Sequence, residues 1–127
     1  MLLYVTVGTN DLARAGAFYD GVLSELGYLR RETDVESFGY APADDTRCRL
    51  WVTLPYDRKP ASFGNGVTIS LSAESREAVR RFYAKALALG GMDEGAPGIR
   101  PFHANFYAAF VRDLDGNKIA AVCERPE

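Results

Sequence analysis

The feature that most limits how this chain can fold is an internal repeat. A displacement of sixty-four positions lays Phe18 on Phe82, Tyr19 on Tyr83, Leu23 on Leu87 and Gly27 on Gly91. The order of predicted elements repeats with it. Residues 2–8 form an apolar, β-branched run that reads as a strand, because branched Cβ atoms pack well on a pleated surface. Asn10 or Asp11 then offers a capping oxygen, and Leu12, Ala15, Tyr19, Val22, Leu23 and Leu26 recur at three- and four-residue steps before Gly27. That stripe predicts a helix over 11–26 lying on a sheet. Short strands are expected at 28–32, 37–41 and 49–55, with Asp44 and Asp45 turning the chain. The pattern restarts with a strand over 67–73 and a helix over 75–88, capped by Ser75 and striped by Val79, Phe82, Tyr83, Ala86 and Leu87. Strands over 92–94, 105–112 and 118–123 complete it.

The reading is an α+β fold of two βαβββ modules in a single domain, module one about 1–55, a Pro- and Gly-rich linker 56–66 and module two 67–127. Each module's sheet has one face covered by its helix and one left open. Pairing the modules buries edges and gives an open curved sheet with a concave cleft, the helices on the convex side.

Composition bounds the function. With 127 residues, 47% of them hydrophobic, the chain can bury a core without a disulfide or zinc staple. Cys48 and Cys123 are isolated and read as reduced thiols. Fifteen basic against seventeen acidic residues, a net charge of -2 and no run of Lys or Arg argue against nucleic acid. Every apolar stretch is far shorter than the ~20 residues of a membrane helix, and the start lacks a signal-like pattern, so a soluble cytoplasmic protein is expected.

The opening strand followed by Asp11-Leu12 and Ala17-Phe18-Tyr19, with the closing run from Ala109 through Asp113-Leu114-Asp115-Gly116-Asn117, resembles the vicinal oxygen chelate superfamily of glyoxalases, extradiol dioxygenases and bleomycin and fosfomycin resistance proteins. The likeness spans essentially the whole chain. Where many small glyoxalase-like proteins carry Asp-Pro-Asp-Gly in the last turn, this chain has Leu114 for Pro. Asp, Gly and Asn are turn formers, and the run is expected to shape a loop and do no chemistry.

The resemblance implies that metal-dependent members hold an ion with His, Gln or Glu from the first and last strand of each module. Those positions fall here on Tyr4, Trp51, Thr68 and Ala120. None is an ordinary ligand: Ala has no donor, the indole N–H only donates, Thr is a neutral hydroxyl, and a phenol must first lose its proton. No metal or other cofactor is therefore assigned. Strand alternation, with Val5, Val7, Leu50, Val52, Ile69 and Leu71 toward the helices, turns Tyr4, Thr6, Arg49, Trp51, Thr53, Thr68, Ser70, Ala120 and Val122 to the other face. That wall offers aromatic faces, orienting hydroxyls and, at Arg49, either a partner for an anionic ligand or one half of a pair with Asp44, Asp45 or a glutamate at the strand end.

His103 is the single histidine, in the loop before the penultimate strand. Lone loop histidines are ordinarily surface residues. In similar glyoxalase-like proteins, however, a His and a Tyr recur near the places of His103 and Tyr107, which makes both candidates for the cleft and for catalysis. The expected function is a metal-free glyoxalase- or bleomycin-resistance-like protein that binds a small aromatic or amphipathic molecule, and the resemblance points to a homodimer. The alternatives are a glyoxalase-like lyase or isomerase, related to lactoylglutathione lyase, or a dioxygenase, using a metal at other positions. A proton-transfer enzyme without cofactor, using His103, Tyr4 or Tyr107, is a further alternative.

Overall fold

The computed structural model describes residues 1–127. β1 (Val5–Gly8) leads into α1 (Leu12–Ser24), followed by β2 (Tyr28–Thr33), β3 (Ser37–Pro42) and β4 (Leu50–Thr53). The second half repeats the order with β5 (Ile69–Ser72), α2 (Arg76–Ala88), β6 (Met92–Ile99), β7 (Tyr107–Arg112) and β8 (Lys118–Cys123). Each helix begins where the sequence supplies an oxygen to otherwise unpaired amides. The Asp11 carboxylate accepts the Arg14 N–H at 3.0 Å, and the Ser75 hydroxyl accepts the Ala78 N–H at 3.0 Å.

The two halves build sheets of the same order, β1-β4-β3-β2 and β5-β8-β7-β6, each with its first strand parallel to its last. The α+β fold of two βαβββ units with open sheets is thus the one the repeat predicts. Several strand ends differ from the sequence reading. β1 starts at Val5, leaving Tyr4 just outside it, β5 starts at Ile69, one residue past Thr68, and β7 starts at Tyr107. β6 continues to Ile99, through Gly95, Pro97 and Gly98, a run that local propensity reads as loop. Its pairing with β7 survives because shifts of register between Asp93 and Gly95 and between Gly95 and Gly98 absorb the irregular residues.

One core serves both halves. Phe18, Tyr19, Val22 and Leu23 of α1 and Val79, Phe82 and Ala86 of α2 join Val7, Leu50, Val52, Leu71, Val111 and Ile119 in a single buried cluster. Burial of each large side chain contributes about 1.5–3 kcal/mol. The helices run antiparallel side by side: Gly21 faces Leu89, and one turn later, at the C-cap of α1, Glu25 pairs with Arg81 at 3.1 Å. Neither helix is long and apolar enough to cross a membrane.

The turn between β7 and β8 does more than reverse the chain. Asp113 is buried and accepts the Tyr19 hydroxyl at 2.5 Å and the Asn117 amide at 2.8 Å. Asp115 accepts the Thr9 hydroxyl at 2.6 Å and the Asn10 N–H at 2.9 Å, and Asn117 donates to the Gly8 carbonyl at 3.0 Å. The turn residues of the second half therefore grip the strand-to-helix junction of the first.

Candidate functional site

Because both helices cover the same side, the opposite face of each sheet is open. In the first sheet the parallel register sets Thr6 beside Trp51 and Gly8 beside Thr53, and the antiparallel one sets Gly39 beside Trp51 and Ser37 beside Thr53. Side chains alternate along each strand, so Val7, Leu50 and Val52 go to the core and Thr6, Trp51 and Thr53 to the open face. Tyr4, Thr6, Ser37, Trp51 and Thr53 line one cavity of about 320 Å³. Tyr4, 53% exposed, is its rim. Ser37 was not legible as a wall residue; its position follows from its pairing with Thr53, a register that no local pattern specifies.

Trp51 owes its placement to the strand beside it. A Cβ at residue 39 would stand 2.9 Å from Cζ3 and Cη2 of the indole and 2.7 Å from the Cys48 Sγ, so only glycine lets the ring settle onto β3. Burial pushes the Cys48 thiol above its ordinary value, with the Glu32 charge adding to the shift, which leaves it a packing group behind the indole. The Thr53 hydroxyl donates to the backbone, with the Glu36 and Leu54 carbonyls 3.1 and 3.0 Å away.

Arg49 lies at the same wall, but its guanidinium is engaged. Nε donates to Asp45 at 2.6 Å and Nη1 to the Leu3 carbonyl at 3.0 Å. The Arg47 N–H and the Arg49 side chain together hold the Asp45 carboxyl below its ordinary value. Of the two roles the sequence leaves open for Arg49, the ion pair with Asp45 is the one seen.

On the second sheet Ser70 stands beside Ala120 and Ser72 beside Val122. Ser70, Ser72 and Val122 border a hollow of about 700 Å³ together with Phe106, Glu74, Glu124 and Arg125. Phe106 is a second wall residue that the sequence did not single out, since it precedes β7 and belongs to no periodic run. Ala120 is fully buried but lies outside the helix-side core, under its neighbours on the open face. Thr68 is exposed just ahead of β5.

The two remaining candidates, His103 and Tyr107, part company with this wall. Tyr107 pairs with Cys123, a core residue, and its ring turns toward α2, where it lies 5.2 Å from the Arg76 guanidinium and 5.8 Å from that of Arg80. Arg80 Nη1 donates to its hydroxyl at 3.2 Å. His103 is exposed, its ring centroid 5.9 Å from that of Phe106, and it lines neither hollow.

The donor set along the open faces does not suit a divalent metal. The positions nearest the strand centres are Thr6 and Trp51 on one sheet and Ser70 and Ala120 on the other, and they offer two neutral hydroxyls, an N–H donor and a methyl. Nowhere in the chain do three or more His, Cys, Asp or Glu side chains gather as a set able to hold an ion. The arrangement can stack a ring against Trp51 and Tyr4 and orient a polar group with the hydroxyls beside them.

Residues 1–121 match the family model described as Glyoxalase/Bleomycin resistance protein/Dioxygenase superfamily. Among solved structures the chain is similar to a glyoxalase/bleomycin resistance protein from Albidiferax ferrireducens, 36% identical over 97% of both chains with a TM-score of 0.85. It shares its fold with a glyoxalase/bleomycin resistance protein/dioxygenase family enzyme from Burkholderia phytofirmans, 20% identical over 98% of this chain and 100% of that one, TM-score 0.72. The fold also recurs in the fosfomycin resistance protein FosX from Listeria monocytogenes, 13% identical over 96% and 91%, TM-score 0.67. No curated protein matches the chain.

Proposed function

Because the chain belongs to the Glyoxalase/Bleomycin resistance protein/Dioxygenase superfamily, we propose that it is a metal-free member that binds a small aromatic or amphipathic molecule on its open sheet faces. The observation that carries this reading is the wall of Tyr4, Thr6, Ser37, Trp51 and Thr53 around one cavity, with an indole at its centre and no metal donor set. Ser70 supplies the second wall, together with Ser72, Phe106 and Val122. Hydroxyls, an indole and a phenol can hold and orient a molecule but are not themselves Lewis acids, which supports a binding function.

The protein acts as a homodimer. Supporting this, each hollow described is lined by one sheet alone, and Tyr4, Leu29 and Val67 are more than half exposed, apolar area of the kind that a second copy covers. Residues 1–127 act as one domain, since a single core spans both halves. Two buried free thiols fit a reducing, cytoplasmic setting.

Trp51 is the single tryptophan, so its emission reports directly on this wall. Neutral 4-nitrobenzyl alcohol is expected to quench it saturably, and Trp51→Leu to weaken calorimetric binding at least tenfold, about 1.4 kcal/mol. Linear, non-saturating quenching together with unchanged affinity in Trp51→Leu overturns the reading. So does near-stoichiometric nickel, zinc, iron or manganese in protein purified without chelator.

A further inference from the structure

The open face of the second sheet carries a pair of cations that nothing in the chain neutralises. Phe110 stands beside Ala120 of β8 and Gly95 of β6, two residues too small to cover its ring, and it lies outside the helix-side core. The Arg100 guanidinium is 5.6 Å from the centre of that ring and the Lys118 ammonium 5.3 Å. Most of the other arginines, Arg14, Arg30, Arg49, Arg58, Arg80, Arg81 and Arg112, reach a carboxylate. Arg100 and Lys118, both half-buried, reach none. Glu94, next to Gly95 in β6, is taken by Arg112 at 2.6 Å.

Arg100 is also held in place. Its Nη2 donates to the Ala96 carbonyl at 2.7 Å, and the guanidinium lies across β6 where glycines leave room for it. A Cβ on Gly95 would stand 3.1 Å from Nη2, and one on Gly98 would stand 3.1 Å from Nη1. A planar fork fixed on the backbone, with most of its N–H groups uncommitted, is ready to receive two anionic oxygens, and an ammonium beside the same ring adds a second charge. The attraction of a cation to a phenyl face at an exposed site is weaker than a charge-assisted pair with an anion. The remaining acids of this face, Glu74 and Glu124, lie at the other end of the strands. At about 3.3 Å per residue, Glu124 stands roughly 20 Å from Lys118.

We propose that Arg100, Lys118 and Phe110 form an anion seat, so that the ligand of this protein carries a carboxylate or a phosphoryl group joined to an apolar or aromatic body. This rests on the reading above, since it names the class of molecule that the same open faces take.

The test compares matched probes by calorimetry at low salt: 4-nitrophenyl phosphate and 4-nitrobenzoate against neutral 4-nitrobenzyl alcohol. At least one anion is expected to bind tenfold or more tighter than the alcohol, and the tighter of the two identifies the group. Arg100→Gln and Lys118→Gln are each expected to reduce that preference at least threefold and the double variant to abolish it, with affinity for the alcohol unchanged. Gly98→Ala keeps every charge and meets only the Arg100 side chain and, at 3.9 Å, the Ala96 carbonyl. It too is expected to lower the preference, which separates placement of the fork from overall charge. Lys85→Gln, on the exposed side of α2, is expected to leave the preference as it is. If the alcohol binds and neither anion gains over it, or if the preference survives the double variant, the anion seat is overturned while the reading of the Trp51 wall stands. Binding of none of the three overturns both.

Discussion

The Tyr19 hydroxyl donates to the Asp113 carboxylate at 2.5 Å, joining α1 to the last turn across ninety-four positions of sequence. Both side chains are buried, and the carboxylate receives further donors from Asn117 and from the Asp115 N–H. Removing the phenolic hydroxyl leaves a buried acceptor short of one charge-assisted bond. Tyr19→Phe is expected to lower unfolding free energy by about 1.5–3 kcal/mol in urea titrations, with no change in the slope of the transition. A loss below a few tenths would mean that water replaces the hydroxyl without cost.

The same contact makes the fold sensitive to alkali. Burial, and after it the charge of Asp113, holds the Tyr19 phenol well above the ordinary 10.0, and burial with the Asp20 carboxylate raises Tyr40 as well. The unfolded chain then gives up protons that the folded one keeps. The contribution is complete below about pH 10 and is lost as pH rises beyond it, by about 1.4 kcal/mol per unit for Tyr19. Urea midpoints between pH 8 and 11 should fall on the alkaline side, and fall less steeply in Tyr19→Phe; equal slopes in the two proteins would contradict this.

Gly39→Ala places a methyl where the indole and the Cys48 sulfur already lie. The expected cost is about 1–3 kcal/mol of stability, accompanied by a shift in the emission of the single tryptophan as the ring is lifted off β3. Unaltered emission would show that the ring does not rest on that strand.

Thr9 is fully buried and its hydroxyl binds Asp115 at 2.6 Å. Thr9→Val keeps the shape and removes the bond, so it should cost about 1–3 kcal/mol. Thr9→Val and Asp115→Ala should also be non-additive in a double-mutant cycle, with a coupling of about 0.5–3 kcal/mol. Strict additivity would mean that the two halves are not joined through this pair.

The sequence by itself determined the repeat, both helices and their buried faces, and which side of β1, β4 and β5 looks inward. These are local properties: a period of 3.6 or 2 in apolar residues fixes what an element can bury, and Asp11 and Ser75 mark where the helices start. The wall of Thr6, Trp51 and Thr53 was legible for the same reason, as the residues left over when their neighbours go to the core.

Tertiary structure decided the rest, where the governing partner is distant in sequence. Tyr107 is assigned to the helix side by its pairing with Cys123, and the phase of a strand whose neighbours are alanines on both faces cannot be read from its own residues. Asp113 and Asp115 look like turn formers because they are, yet their carboxylates are claimed by Tyr19, Thr9 and Asn10. Arg100 gains its place from two glycines in a strand that propensity reads as loop. Local chemistry sets what each segment can be; long-range pairing sets which face a side chain occupies and whether its charge is already answered.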